Sequence, residues 1–225
     1  MLILSLETST RVCSVALHQN GEVLACYELF TEKSHSRMLT TLVQQVVEHA
    51  GFRLTDLEAV AVAKGPGSYT GLRIGVSTAK GLCFALDKPL LAVNTLEAMT
   101  RQLGDFVPAD ALLCPMLDAR RMEVYCAVFD TKMKFIEPTQ AKIVDETAFA
   151  EHLAERPVYF FGDGAAKCQA LLACHGNARF PATPVHPSAR TVGLLATRAY
   201  QAGAFENVVA FEPFYLKEFV GTKKV

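Results

Sequence analysis

The sequence predicts an α/β fold made of two similar lobes, and three observations support this prediction. Predicted strands and helices alternate along the whole chain. Each half begins with an apolar strand that ends in an acidic residue, Glu7 in the first half and Asp118 in the second. When Glu7 is placed on Asp118, an offset of 111 residues, "VCSVAL" falls on "EVYCAV" without a gap.

The order of elements in both halves is βββαβαβα. This duplicated order is typical of the actin/hexokinase/Hsp70 (ASKHA) architecture, in which two acidic hairpins face each other across a nucleotide cleft. We predict a first lobe at residues 1–104 and a second lobe at residues 105–225, with the helix at 188–203 packing back on the first lobe. One α/β domain with a single mixed sheet is the alternative.

The first lobe opens with the continuous apolar run Leu2–Glu7, which predicts a buried strand. A second strand at 12–18 leads to Asn20 and Gly21, the dipeptide typical of a tight hairpin turn, and a third strand follows at 22–30. The remaining elements are a helix at 34–50, a strand at 58–63, a helix at 70–86, a strand at 90–94 and a short helix at 95–103.

The second lobe repeats this pattern. Its strands at 111–118 and 123–130 are joined by the turn "ARRM", and a third strand at 134–144 contains Pro138, which predicts a sheet edge or a bulge. The remaining elements are a helix at 146–155, a strand at 157–162, a helix at 165–173, a short strand and a last helix at 188–203.

Composition and charge exclude several classes of protein. The chain has 22 Lys plus Arg against 23 Asp plus Glu, so it lacks the basic surplus of a protein that grips nucleic acid alone. Its seven cysteines form no CxxC pair and sit mostly in apolar runs, which favours a reducing compartment. The N-terminal "MLILSLE" has no basic segment before its apolar run, and no stretch is long enough to span a membrane. We therefore expect a cytoplasmic protein.

The predicted cleft turns lack the residues of a tight nucleotide site. Proteins of this architecture place glycine in these turns so that the backbone can approach the phosphates. Here the first turn is "ETSTR" and the second is "DARRM", and neither contains glycine. We expect a vestigial cleft, and the alternative is two purely structural hairpins. The residues of this vestigial cleft are Glu7, Thr8, Ser9 and Asp118.

No catalytic, cofactor-binding or metal-ligating residue is predicted. A metal site on a helix needs a second ligand four residues after the first, so that both side chains share a face. His35 begins a predicted helix, but Leu39 stands four residues later. The chain also lacks the G-x-S-x-G motif of a serine hydrolase.

The stretch "KGPGSYTGLRIG" (64–75) is rich in glycine but matches neither a Walker A loop nor G-x-G-x-x-G. Gly71, Gly75 and Ala79 share one helical face, and a smooth face of small residues lets another helix approach closely. An apolar stripe on the preceding helix matches it. These faces either belong to the core or form a contact with another subunit. If they form such a contact, Gly75→Leu would leave the monomer folded, because the new side chain would point to solvent. The predicted interface residues are His35, Met38, Leu39, Leu42, Val46, Gly71, Leu72, Gly75 and Ala79.

Four stretches together resemble the bacterial TsaB (YeaZ) family: "LSLETSTRVCSVAL", "KSHSRML", "AVAKGPGSYTGLRIGVSTAKGL" and "MLDARRMEVYCAVF". The glycine-rich stretch is close to the hallmark of that family, and "YLK" at 215–217 is similar to its C-terminal signature. The resemblance covers most of the chain and is closest over residues 1–130. Glu7 departs from it, because the family more usually has aspartate there.

The resemblance implies a non-catalytic paralogue of TsaD, the enzyme that forms threonylcarbamoyladenosine in tRNA. TsaD carries a His-x-x-x-His metal site, and this chain matches only its first histidine, at His35. The resemblance therefore implies a scaffold subunit that binds a TsaD-like catalytic subunit. A TsaE-like ATPase would join this pair, and the chain would form a homodimer when alone. Contact with tRNA is expected only through the complex. No cofactor is expected in the isolated chain, and any nucleotide is expected at the interface with the catalytic subunit.

Two other classes of function remain as alternatives. One is a self-sufficient ATP-using enzyme of the actin/hexokinase type, which would need an intact metal carboxylate and glycine in the phosphate turns. The other is a glycoprotease-like peptidase, which would need metal ligands or a nucleophile with its base.

Overall fold

The computed structural model describes residues 1–31 and 35–217, except for the side chain of His35. It contains two five-stranded sheets, one for each half of the chain. In the first sheet the strand order is β3-β2-β1-β4-β5, where β1 pairs antiparallel with β2 and parallel with β4. The elements of this half are β1 (Leu2–Glu7), β2 (Cys13–Gln19), β3 (Glu22–Leu29), α1 (His35–His49), β4 (Ala59–Gly65), α2 (Tyr69–Leu86), β5 (Leu90–Asn94) and α3 (Thr95–Thr100).

The second sheet repeats this topology with the order β10-β9-β6-β7-β8. Strand β6 occupies the place of β1, since it pairs antiparallel with β7 and parallel with β9. The elements of this half are β6 (Leu112–Asp118), β7 (Glu123–Asp130), β8 (Phe135–Ile143), α4 (Ala150–Glu155), β9 (Val158–Phe161), α5 (Asp163–Leu172), β10 (Ala178–Arg179) and α6 (Ala189–Gln201).

This duplicated topology confirms the predicted fold class. Glu7 and Asp118 end the equivalent strands β1 and β6, and Pro138 lies in the edge strand β8, as predicted. Two helices are shorter than predicted by several residues: α3 ends at Thr100 rather than at residue 103, and α4 begins late. Residues 145–149 form a turn because the Asp145 carboxylate accepts hydrogen bonds from the backbone N–H groups of Thr147 and Ala148, and Phe149 has a φ of 66°. Helix α4 therefore begins at Ala150 rather than at residue 146.

The first sheet is covered on both faces. Helices α1 and α2 pack on one face, over the buried side chains of Leu4, Leu6 and Val62 among others. Helix α6 packs on the other face, against Ile3 and the alanines of β4. The last helix of the second half therefore lies on the first sheet.

Helix α6 lies close to β2 because a glycine faces a buried histidine. The His18 ring is 0% exposed, and its Nε2 donates a hydrogen bond to the carbonyl oxygen of Arg190 at 2.9 Å. A Cβ at Gly193 would overlap the His18 ring. Burial lowers the pKa of His18, although the hydrogen bond to Arg190 opposes this effect.

Helix α3 connects the two halves. Its Leu96 and Met99 are fully buried and pack with Leu113 and Phe129 of the second sheet. The Asn94 side chain caps α3 and donates a hydrogen bond to Thr139 Oγ1 of β8 at 3.0 Å. Within residues 1–31 and 35–217, no helix is both long enough and apolar enough to cross a membrane.

We expect His18→Gln to reduce the loss of stability at acid pH. Burial makes His18 harder to protonate in the folded chain than in the unfolded chain, where it takes up a proton as the pH falls below its ordinary pKa of 6.5. The free energy of unfolding of the wild type should therefore decrease below that pH, and the variant should lose this component. Chemical denaturation followed by circular dichroism at pH 7 and pH 5 measures it. Parallel pH dependence in the two proteins would contradict the assignment.

Candidate functional site: the cleft turns and the glycine-rich helix

The first cleft turn is sealed inside the chain. Glu7, Thr8 and Ser9 are each at most 1% exposed. The Glu7 carboxylate accepts a hydrogen bond from the backbone N–H of Ser9 at 2.6 Å, and its second oxygen has no hydrogen-bond partner among the described residues. Burial raises the pKa of Glu7 to about 7 even though the hydrogen bonds from Ser9 and Thr8 lower it. Much of the Glu7 population is therefore protonated at neutral pH.

Helix α2 closes over this turn. The Ser68 side chain caps the helix and accepts a hydrogen bond from the backbone N–H of Gly71, while the Ser68 N–H donates to the carbonyl oxygen of Ser9 at 2.6 Å. Thr8 Oγ1 donates to the carbonyl oxygen of Gly71 at 2.8 Å. The Thr8 side chain is thus turned towards α2.

The glycines of this helix are required by the closeness of the turn. A Cβ at Gly67 would overlap the backbone of Ser9, and one at Gly71 would overlap the carbonyl oxygen of Thr8. A Cβ at Gly75 would overlap the Thr8 hydroxyl. The small-residue face therefore packs on the first cleft turn of its own chain.

This packing corrects the predicted interface. Seven of its nine residues are buried in the single chain, where the side chains on α1 and α2 pack in the core beneath the two helices. They therefore present no surface to a partner. The alternative interpretation, that these faces belong to the core, fits their burial. A side chain at position 75 would meet the Thr8 hydroxyl rather than solvent, so we now expect Gly75→Leu to destabilise the chain. These seven residues are Leu39, Leu42, Val46, Gly71, Leu72, Gly75 and Ala79.

The other two predicted interface residues have different outcomes. Met38 is 38% exposed on α1. The side chain of His35 lies outside the described residues, so its predicted place in an interface stays a prediction. Leu39 is only 1% exposed, so the position four residues after His35 points into the core and not towards a ligand.

The second cleft turn is exposed, and its Asp118 carboxylate already forms an ion pair. Asp118 accepts hydrogen bonds from the Lys167 ammonium group and from the backbone N–H of Arg120. Burial would raise the pKa of Asp118, but these hydrogen bonds outweigh it and lower that pKa. Arg120 and Arg121 form the turn with φ angles of 71° and 51°, in the left-handed region that glycine or asparagine usually occupies.

These two turns do not fit the metal and nucleotide of the wider fold class. The acidic residues of such a cleft hold a divalent cation through ionised carboxylates, but Glu7 is buried with a raised pKa and Asp118 is bound to Lys167. Within the described part of the chain, no three His, Cys, Asp or Glu side chains group together as metal ligands. The backbone of the first turn, which would approach a phosphate, is instead covered by α2.

The C-terminal segment contacts the glycine-rich loop, which no pattern in the sequence indicated. Residues 204–217, which we name the C-terminal strap, have no helix but run beside the glycine-rich loop. The Phe214 N–H donates to the carbonyl oxygen of Lys64 at 2.7 Å, and the ring of Tyr215 lies 4.9 Å from that of Tyr69. The motif "YLK" was visible in the sequence, but no periodicity or spacing indicated which elements it would contact.

We expect Gly75→Ala to destabilise the chain by about 1–3 kcal/mol, the usual range for overpacking a tight core. Its new methyl group would overlap the Thr8 hydroxyl. Gly81→Ala is the matched control in the same helix, where a Cβ meets nothing within 4 Å. This control should stabilise the chain by about 1 kcal/mol through helix propensity. Thermal and urea denaturation compare the two variants, and equal effects would contradict the close contact.

We expect Glu7→Gln to become more stabilising as the pH rises. Glu7 has a pKa of about 7 in the folded chain, whereas its ordinary pKa, which holds in the unfolded chain, is 4.5. Between these values the wild type loses stability with rising pH, by roughly 3 kcal/mol in total. The variant carries no such cost, so the difference in unfolding free energy should be larger at pH 8 than at pH 4.5. If the difference in unfolding free energy were the same at both pH values, Glu7 would have the same pKa in the folded and unfolded chains, which would contradict the prediction.

Comparisons with known proteins agree on a family. The sequence profile described as "TsaD: tRNA N6-adenosine threonylcarbamoyltransferase" matches residues 29–219. The chain is 32% identical to the "tRNA threonylcarbamoyladenosine biosynthesis protein TsaB" of Escherichia coli over 100% of this chain and 98% of that protein. It is 36% identical to the protein of the same name from Bacillus subtilis over 72% of this chain and 71% of that protein.

Solved structures support the same relationship. The structure titled "YeaZ from Pseudomonas aeruginosa" has a TM-score of 0.77 and 27% identity, and the match covers 96% of this chain and 99% of that one. An activator of 2-hydroxyisocaproyl-CoA dehydratase from Clostridium difficile has a TM-score of 0.52 with 11% identity over 91% of this chain and 97% of that one, which is a likeness of fold alone. On the full-length match and the shared structure, the chain belongs to the TsaB (YeaZ) family.

Proposed function

We propose that this chain is a non-catalytic subunit that supports a TsaD-like enzyme in forming N6-threonylcarbamoyladenosine in tRNA. The relatives that match it over most of their length are named as biosynthesis proteins for this nucleoside. The observation that carries the proposal is the sealed first cleft turn, with its buried Glu7 beneath α2. A chain whose Glu7 is buried and whose Asp118 is already bound by Lys167 is better suited to hold a partner than to turn over a nucleotide.

The exposed sides of α1 and α2 are the proposed contact surface. Because the opposite sides are buried, only these sides can meet a partner. Met38 lies there on α1, and Phe84 on α2 is 86% exposed. Large apolar side chains at the centre of an interface often contribute most of its binding energy. This surface would bind the TsaD-like subunit in the complex and a second copy of the chain when it is alone.

The other components would act through that pair. A TsaE-like ATPase would join the assembled subunits, and any nucleotide would lie at the joint between this chain and the catalytic subunit. The nearly equal numbers of basic and acidic residues, 22 against 23, support contact with tRNA through the complex rather than by this chain alone.

Reconstitution tests the proposal. The chain is combined with the TsaD-like and TsaE-like proteins of its own organism, a threonylcarbamoyl donor, ATP and unmodified tRNA, and the modified nucleoside is measured by mass spectrometry. The full mixture should form the nucleoside, and mixtures lacking this chain should form little. Steady ATP hydrolysis by the chain alone at about 1 per second, an ordinary enzyme rate, would contradict the non-catalytic role.

We expect Phe84→Asp to weaken binding to the TsaD-like subunit by at least about tenfold, because it places a charge in an apolar contact. Phe106→Asp is the matched control, since Phe106 is 84% exposed but lies in the connection between the halves. Analytical ultracentrifugation measures the pairing, and a thermal melt shows that both variants stay folded. Equal affinities for the two variants would place the interface elsewhere.

A further inference from the structure

The C-terminal strap is held to the first lobe at several points. The Glu206 N–H donates to the carbonyl oxygen of Leu90 in β5 at 2.9 Å. The Lys80 ammonium group on α2 donates to the carbonyl oxygens of Val209 and Phe211 at 3.0 and 2.9 Å. Phe211 packs against the core of the first lobe. The strap is therefore part of the first lobe up to its hydrogen bond with Lys64.

The end of the strap contacts the second lobe. The Lys217 ammonium group donates a hydrogen bond to the carboxylate of Glu123, the first residue of β7. It also lies 5.8 Å from the centre of the Tyr125 ring. Glu123 is held in place in turn, because its carbonyl oxygen accepts a hydrogen bond from Lys167 at 2.7 Å. The strap thus runs from β4 in one lobe to β7 in the other.

This second connection lies at the cleft. The Phe214 N–H is hydrogen-bonded to Lys64 near the end of β4, and β4 pairs with β1, the strand that ends at Glu7. Glu123 directly follows the turn at Asp118. Three residue steps separate Phe214 from Lys217, and they span at most about 11 Å. The lobes are also joined by α3 and by the crossover to α6, and this additional tie at the cleft further limits how far they can rotate apart.

We infer that the C-terminal strap is a clamp between the lobes, and that the pair Lys217–Glu123 restricts the opening of the cleft. Isolated ion pairs on a protein surface usually contribute little to stability. This pair is partly buried, with side-chain exposures of 34% and 26%, and the lysine also lies near an aromatic ring. It joins residues 94 positions apart in the chain, so its loss would act on the arrangement of the lobes and not on a local turn.

The distance between the lobes tests this inference. Spin labels are placed on exposed helix positions of the full chain, at Ser77 on α2 and Ala166 on α5. The exposed Cys174 and the half-buried Cys26 are replaced by alanine to prevent stray labelling. Double electron–electron resonance then gives the distribution of distances between α2 and α5. The labelled chain is diluted with an excess of unlabelled chain so that only distances within one copy are measured, and the wild type should then give one narrow distribution.

Lys217→Ala and Glu123→Gln should each raise the population of longer distances by about fivefold. Lys217→Arg keeps the charge and the ring contact, and it should restore the narrow distribution. Lys132→Ala is the control, because this exposed lysine lies in the turn between β7 and β8. The inference is overturned if Lys217→Ala keeps the wild-type distribution, or if Lys132→Ala broadens it equally.

Discussion

The close approach of α2 to the turn after β1 is the constraint on which the rest of this structure depends. Three glycines, at positions 67, 71 and 75, leave room only for the backbone and hydroxyl of Thr8 and for Ser9. This contact buries Glu7, covers the backbone that would approach a phosphate, and orients α2 so that Phe84 faces outward. One steric requirement therefore both closes the cleft turn and determines which side of the helix a partner can reach.

The architecture could be predicted from sequence because its signals are local and duplicated. Apolar runs, the Asn20–Gly21 turn and the offset between Glu7 and Asp118 all act over short spans or repeat in both halves. The role of the glycine face could not be predicted, because spacing shows which residues share a face but not what covers it. A stripe of small residues fits another subunit or its own strand turn equally well, and only the position of Thr8 decides between them.

Two further features depend on contacts between residues that are distant in sequence. His18 is an ordinary strand residue by pattern, and only the packing of Gly193 on α6 makes it a buried histidine with a lowered pKa. Lys217 meets Glu123 across 94 positions, and no periodicity links them. Both contacts hold elements of the second half, α6 and the C-terminal strap, against earlier parts of the chain.

Calorimetric titration of the purified chain with Mg²⁺ and ATP tests the central claim most directly, because it asks whether the cleft serves a nucleotide without a partner. The sealed turn at Glu7 and the ion pair of Asp118 with Lys167 predict no saturable binding with a dissociation constant below about 1 mM. Stoichiometric binding in the micromolar range by the chain alone would contradict the account. It would show that the turns open to form a working nucleotide site.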